Sequence, residues 1–238
     1  DEVLADLKAG KVVILTDHSA PGTRGCFVVS AEKSTAEKIN QMIFYGRGLV
    51  RMPMSAEHMR QLDLQAQANS TISIDAARGV GAGISAVDRN HTIKVICSAD
   101  AKPQDIVSPG HIYPVETEDG GCLVRPFLSD AAKDLVRLSE TGEMAVICDI
   151  LNDQGDFADE AGLQKLADEL ELNICSIHDL VEYRFTREPL VERLNTVDMP
   201  TEYGNFRLHV YKARFDHSRG IDLALTFGTD TFKESDIP

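Results

Sequence analysis

The apolar positions of this chain come in short bursts separated by polar stretches. Lys11–Thr16 (KVVILT) and Cys26–Ser30 (CFVVS) are rich in β-branched residues and predict strands on either side of a polar loop, Asp17–Gly25. Ile39, Met42 and Ile43 then fall on one helical stripe, which predicts a helix capped by Ser34 or Thr35 and ending near Tyr45. Gly46–Met52 returns to strand character, and Ser55 opens a short helix with Met59 and Leu62 inward. Thr71–Ala76 (TISIDA) alternates with period two, a glycine-rich loop follows, and Thr92–Cys97 reads as a further strand. Lys102–Val107 predicts a short helix and Pro109–Gly110 a turn. Ile112–Val115 and Gly121–Val124 predict a hairpin closed through Asp119-Gly120-Gly121.

Ser129 is a suitable N-cap for a helix through Leu138, with Gly142 near its end. Met144–Leu151 is a strand, apolar throughout except for Asp149, and Glu160–Glu171 is an amphipathic helix. Asn173–Ile177 and Leu180–Phe185 follow as apolar segments. Thr186–Met199 carries several charges and few apolar repeats, with Pro189 and Pro200 near its ends, so it predicts a connecting segment. Asn205–Ala213 and Ile221–Phe227 predict a β pair. Strand and helix patterns in alternation favour an α/β architecture.

With 238 residues, the chain is long enough for one large domain or one domain with an appendage. Its 24 basic against 38 acidic residues disfavour generic binding to nucleic acid or anionic membranes, which needs a basic face. Local basic pockets for small phosphorylated ligands stay open. No apolar run approaches the roughly 18 residues needed to cross a bilayer. The five cysteines are odd in number and form no CxxC, which argues against a disulfide framework or zinc knuckle. Cys97, Cys122, Cys148 and Cys175 lie in apolar runs and are expected to be buried, reduced thiols in a cytoplasmic setting.

Candidate chemistry is spread along the chain. The loop Asp17–Gly25 and its flank bring Asp17, His18, Arg24 and Cys26 into one stretch. It reads either as a Cys/His nucleophile pair or as a solvent-exposed connection, and as a metal site it has only two good donors. Gly79, Gly81 and Gly83 suit either an anion-cradling backbone or a tight turn; neither GxGxxG nor GxxxxGK[ST] is present. His111 can exchange protons near neutral pH or play a structural part. Arg125 and Ser129 flank a helix start, where a phosphate can sit; the alternative is a cap and a surface ion pair. Asp149, alone in an apolar strand, needs a partner, a raised pKa or a strand end facing water.

In order, the segments KVVILTD, SAEK, GRGLV, QLDL, SIDA, GISAVDR, PGHIYP, GGCLVR, DAA, VIC, ILND and SIHDLVEYR closely resemble 3,4-dihydroxy-2-butanone 4-phosphate synthase, over about residues 1–185. Met199–Tyr211 (MPTEYGNFRLHVY) resembles the opening strand of GTP cyclohydrolase II. That family's zinc-binding cysteines are absent, since no cysteine follows Cys175. The resemblance divides the chain into a synthase-like domain at 1–185, a linker at 186–200 and a truncated cyclohydrolase-like segment at 201–238. It implies a three-layer α/β (α+β) fold with a mixed sheet and a short C-terminal β segment. It also implies a homodimer, a small phosphorylated ligand and a fused or separate cyclohydrolase-like partner domain. The family's reaction converts ribulose 5-phosphate to dihydroxybutanone phosphate and formate with magnesium.

The resemblance also marks departures. The family's acidic loop, DDEDRENEGD, falls on DHSAPGTRGC, so its Arg-Glu pair lands on Pro21 and Gly22, its later Glu on Arg24 and its last Asp on Cys26. In the family's RxGHTEA motif the His lands on Leu128. Gly22 and Leu128 thus occupy both magnesium-ligand positions, so no metal cofactor is expected. The family's Thr-Thr-Gly turn becomes Gly81-Ala82-Gly83. His111 and Asp149 match the catalytic His and Glu, and Arg125 and Ser129 match substrate-binding positions. The resemblance therefore implies a homologue that lacks the synthase reaction. Its alternatives are a metal-independent enzyme acting on a phosphosugar or another small molecule, and an active synthase whose metal is held by Asp17, His18, Asp130 or Asp149.

Overall fold

The computed structural model describes residues 1–19, 22–64, 72–215 and 220–228. Pro21, Thr71 and the end of the C-terminal segment, 229–238, lie outside the described residues. The chain divides into two units, Asp1–Glu182 and Tyr183–Pro238.

In the first unit, α1 (Glu2–Lys8) precedes β1 (Val13–Asp17) and β2 (Arg24–Ser30). Next come α2 (Ala36–Gly46), β3 (Arg47–Ser55), α3 (Ala56–Gln61) and β4 (Ile74–Ala76). Then follow α4 (Ala86–Ile96), β5 (Ile106–Thr117), α5 (Leu128–Leu138), β6 (Ala145–Ile150), α6 (Glu160–Leu170), β7 (Ile174–Ser176) and the first half of α7 (Ile177–Arg187), a helix that runs on into the second unit. The seven strands form one mixed sheet in the order β4-β5-β3-β6-β2-β1-β7.

Strand alternation sends successive side chains to opposite faces, and here both faces are covered. Phe27, Val29, Val50, Met52, Val146 and Cys148 face one way, against Ile39 and Met42 of α2, Ile93 and Ile96 of α4, and Leu163 of α6. Val13, Leu15, Cys26, Val28, Ala145 and Ile147 face the other way, against Leu7 of α1, Ala131, Leu135 and Val136 of α5, and Ile177 and Leu180 of α7. The result is the expected three-layer mixed-sheet fold. Phe27 is wholly buried at the middle of the first layer. We expect Phe27→Ala to cost about 3–5 kcal/mol, read as a lower denaturation midpoint with an unchanged slope.

Several elements differ from the sequence expectation. Thr92–Cys97 continues a helix, α4, whose N-cap is Ser85; its hydroxyl accepts from the Asp88 N–H at 3.0 Å. The hairpin expected around Asp119-Gly120-Gly121 does not form. β5 runs unbroken to Thr117, and Gly121–Leu123 is a single 3-10 turn. Two buried carboxylates of α5 hold that turn: Asp130 accepts from the Glu118 N–H at 2.8 Å and Asp134 from the Cys122 N–H at 2.7 Å. Ser129 is not the cap of α5. The cap position is Phe127, which makes no side-chain capping bond.

The second unit contains a three-stranded antiparallel sheet of β8 (Val191–Thr201), β9 (Gly204–Ala213) and β10 (Ile221–Phe227), ordered β10-β9-β8. The pairing of β9 with β10 matches the sequence reading. Residues 186–200, expected to connect, instead contain most of β8. β8 is exposed along nearly all its length, so burial leaves no alternation for the sequence to display. As an edge strand it also tolerates Pro200.

Candidate functional site

The α5 side of the sheet carries a row of polar residues across its central strands. On β6, Asp149 is paired in register with Cys26 of β2. Arg51 of β3 reaches across to Asp149 and donates through Nη2 to its carboxylate. Arg51 lies opposite Tyr113 of β5 in the parallel ladder, two residues beyond His111. His111 and Asp149 therefore sit on the two strands flanking β3, two interstrand spacings or roughly 10 Å apart.

A register shift places His111. Ile74 pairs with Ile112 but Asp75 pairs with Val107, so Ser108–His111 bulge out of the β4–β5 ladder. Ser73 ties the bulge down: its carbonyl accepts from the Ser108 hydroxyl and its own hydroxyl accepts from the Gly110 N–H. Asp75 then grips His111 twice. One carboxylate oxygen accepts the His111 backbone N–H at 3.0 Å, and the other lies 2.8 Å from Nδ1. A carboxylate accepts only, so Nδ1 carries the proton of this contact, and neutral His111 keeps Nε2 as its free base. Asp75 is nearly buried, while the His111 side chain is 34% exposed, so the ring is held from behind with one edge open.

Glycine closes this pair from above. Gly83 has φ +77°, and a Cβ there would lie 2.0 Å from the Asp75 carboxylate and 2.7 Å from His111 Nδ1. The loop is fastened by Asp88, which accepts from the Gly81 N–H at 3.2 Å and the Gly83 N–H at 3.1 Å. These glycine amides thus serve Asp88, which favours the tight-turn reading of the loop over the anion cradle. The Gly81 amide, with that of Gly83, holds the Asp88 carboxyl below its ordinary pKa. A depressed folded-state pKa gives stability that is present above the unfolded value and lost as pH falls through the folded one. The protection factors of the Gly81 and Gly83 amides, exchange measured against the intrinsic rate at each pH, should therefore hold at pH 5 and fall once the pH drops below the usual carboxylate range.

Asp149 is shifted the other way. Burial pushes its carboxyl up, and the adjacent positive charge of Arg51 offsets this only in part. Cys26, beside it in the ladder, is wholly buried, and burial drives its thiol far above the ordinary value. A neutral, enclosed thiol is no nucleophile. His18 lies elsewhere, with its ring nitrogens 3.0 Å from the Thr16 hydroxyl and 3.3 Å from that of Thr23. The Cys26/His18 pairing read from the loop is thus not formed. Burial likewise raises the thiols of Cys97, Cys148 and Cys175 to about 12. All five cysteines are free; Cys97 and Cys175 are half-buried rather than fully enclosed.

Arg125 and Ser129 do come together, but on a protein carboxylate. Arg125 clasps Asp130 through Nε and Nη2, both at 3.0 Å, and also donates to the Glu116 carbonyl and the Glu118 carboxylate. Ser129 donates to the same Asp130 at 3.0 Å. Asp130 is completely buried, so this network completes an internal charge pair. Sequence reasoning missed Arg51, Asp75 and Asp88. Arg51 gives the same signal as Asp149, a lone charge in an apolar strand.

The chain is thus an α/β protein whose three-layer mixed sheet carries a row of acid–base side chains on its α5 face. A family model described as 3,4-dihydroxy-2-butanone 4-phosphate synthase matches residues 1–183. A protein named 3,4-dihydroxy-2-butanone 4-phosphate synthase from Neisseria meningitidis serogroup B is 42% identical over 237 residues, covering 96% of this chain and 65% of its own. The riboflavin biosynthesis protein RibBA of Aquifex aeolicus is 38% identical, covering 96% of this chain and 58% of its own. Among solved structures, RibBX, a two-domain synthase from A. baumannii, superposes with TM-score 0.80 at 40% identity, over 95% of this chain and 69% of that one. A synthase in complex with two magnesium ions gives TM-score 0.72 at 26% identity, over 79% of this chain and 96% of that one. The chain belongs to the 3,4-dihydroxy-2-butanone 4-phosphate synthase family. It spans less than two thirds of the length of the curated relatives cited.

Magnesium takes hard oxygen donors, usually carboxylates, with several waters retained. Gly22 has no side chain, and Leu128 is a hydrocarbon packed against the core beneath α5. The substitutes suggested by sequence are engaged elsewhere. Asp130 is clasped by Arg125, Asp149 is paired with Arg51, and Asp17 accepts the N–H and hydroxyl of Ser19. Among the described residues no group of three His, Cys, Asp or Glu side chains could hold a metal. The residues present do not fit the family's metal. Among the described residues, no helix is long and apolar enough to cross a membrane.

Proposed function

We propose that this chain keeps the family's fold and a small-molecule groove but does not make dihydroxybutanone phosphate by the magnesium-dependent route. The observation that carries the reading is the donor set. Two positions offer no side-chain ligand atom, Gly22 and Leu128, and Asp130, Asp149 and Asp17 are each committed to a cation or to hydrogen-bond donors. A homodimer and a small phosphorylated ligand belong to the same proposal. Calorimetric titration with Mg²⁺ and Mn²⁺, with and without ribulose 5-phosphate, tests it. The expected result is no saturable heat from either ion. Saturable binding at one ion per chain would overturn the reading.

A second reading is favoured by the pair Asp75–His111. A histidine held at Nδ1 with Nε2 open is arranged to take a proton. Asp149, its pKa raised by burial, stands on the far side of β3 as a second proton-handling group. Such a pair suits metal-independent proton exchange on a phosphosugar lying across β3. Deuterium uptake from solvent into ketose phosphates in the presence of EDTA tests this, and it should vanish in His111→Asn. Equal uptake in the wild type and that variant would contradict it.

A further inference from the structure

Some arginines of the first unit are satisfied by protein acceptors: Arg125 makes four hydrogen bonds and Arg47 pairs with Asp153. Arg51 and Arg89 each bury an Nε with no acceptor among the described residues, and Arg51 shares its face of the sheet with Arg24. Among the described residues Arg51 makes one side-chain hydrogen bond, to Asp149, and its Nε is buried with no acceptor. A guanidinium has five N–H donors, and an enclosed donor left unmet is costly. Arg24 has no ion pair among the described residues; its guanidinium lies 4.7 Å from the centre of the Phe157 ring.

The sheet aims both at one place. Arg24 and Cys26 point to the same face of β2, and Cys26 is opposite Asp149. Arg51 reaches Asp149 from β3 on the other side of β6. Both arginine charges act on the Asp149 carboxylate. Asp17 faces Arg24 across the β1–β2 ladder, but its carboxylate is turned into Ser19. The floor beneath is Cys26, an uncharged thiol. Two guanidinium groups thus flank Asp149, and with Asp17 turned to Ser19 they keep unmet donors within a strongly acidic chain.

We propose that Arg24 and Arg51 form a seat over Asp149 for a phosphate-sized oxyanion of a small molecule. Planar guanidinium forks match the oxygens of phosphate and carboxylate. Asp149 keeps Arg51 extended along the sheet, and the Phe157 ring supports Arg24 from one side. The seat adjoins the stretch of β3 between His111 and Asp149. The proposal rests on that stretch taking a small molecule, and it concerns binding alone, so it holds with or without turnover.

The test is calorimetric binding of inorganic phosphate, with acetate as a second arm, to the full chain in low-chloride buffer. Saturable phosphate binding is expected, at least tenfold weaker in Arg24→Gln and weaker again at high salt. Arg24 is exposed, so this variant should melt like the wild type. Arg51→Met with Asp149→Leu removes the buried pair together, avoiding a stranded charge, and should abolish binding. Tighter binding of acetate would assign the seat to carboxylates within the same chemistry. No phosphate or acetate binding, or phosphate binding lost in Arg125→Gln but intact in Arg24→Gln, would overturn the proposal. Formate production in a separate assay would contradict the functional reading above while leaving the seat standing.

Discussion

Gly83→Ala should break the Asp75–His111 pair and destabilise the fold. The added methyl would sit 2.0 Å from an Asp75 oxygen that is pinned by His111, so the carboxylate cannot simply swing aside. The backbone at φ +77° adds strain of about 1–3 kcal/mol for a non-glycine residue. Stranding the nearly buried Asp75 carboxylate adds a further penalty of about 1–3 kcal/mol. We expect a clear drop in melting temperature and loss of the Nδ1-bound proton from the His111 nitrogen NMR spectrum. Gly81→Ala is the control, since its Cβ would meet only Asp88 at an ordinary 3.6 Å. A Gly83→Ala protein as stable as the wild type, with its Nδ1 proton kept, would contradict this geometry.

Gly22→Glu combined with Leu128→His should create divalent-ion binding. The pair restores the donor types that the family resemblance assigns to these positions. Gly22 has space for a side chain, since a Cβ there would meet nothing within 4 Å, although φ +97° leaves the glutamate some backbone strain. Leu128 is only partly buried at the first turn of α5, so an imidazole there can reach solvent. Mn²⁺ should bind the double variant at least tenfold more tightly than the wild type. Single variants should show little gain, because one donor leaves the ion almost fully hydrated. No gain in the double variant would mean that the two positions do not face a shared space.

Much of the architecture was legible because burial on both sheet faces imposes runs that periodicity detects. KVVILT, CFVVS and the segment around Asp149 were readable as strands for this reason. Thr92–Cys97 misled because a short β-branched run fits a strand or a buried helix turn equally well. The contrary signal lay upstream, in Ser85 and Asp88, whose spacing marks a helix start. β8 was hidden because its exposed side chains obey no burial pattern.

Within the site, His111 and Asp149 stood out as isolated titratable residues in strand contexts. Their partners did not. Asp75 meets His111 across 36 residues of sequence, and only the β4–β5 register shift brings them together. Arg125 stood out at a helix start, but nothing in the sequence says that Asp130, five residues on, turns inward to meet it.

The central claim is that the family's fold persists here without its magnesium-dependent chemistry. It is tested most directly by ¹³C NMR of the purified chain with labelled ribulose 5-phosphate and Mg²⁺, run beside an active synthase of the family. No formate signal is expected from this chain while the control produces it. Formate released at a rate comparable to the control would contradict the claim and require metal ligands other than residues 22 and 128.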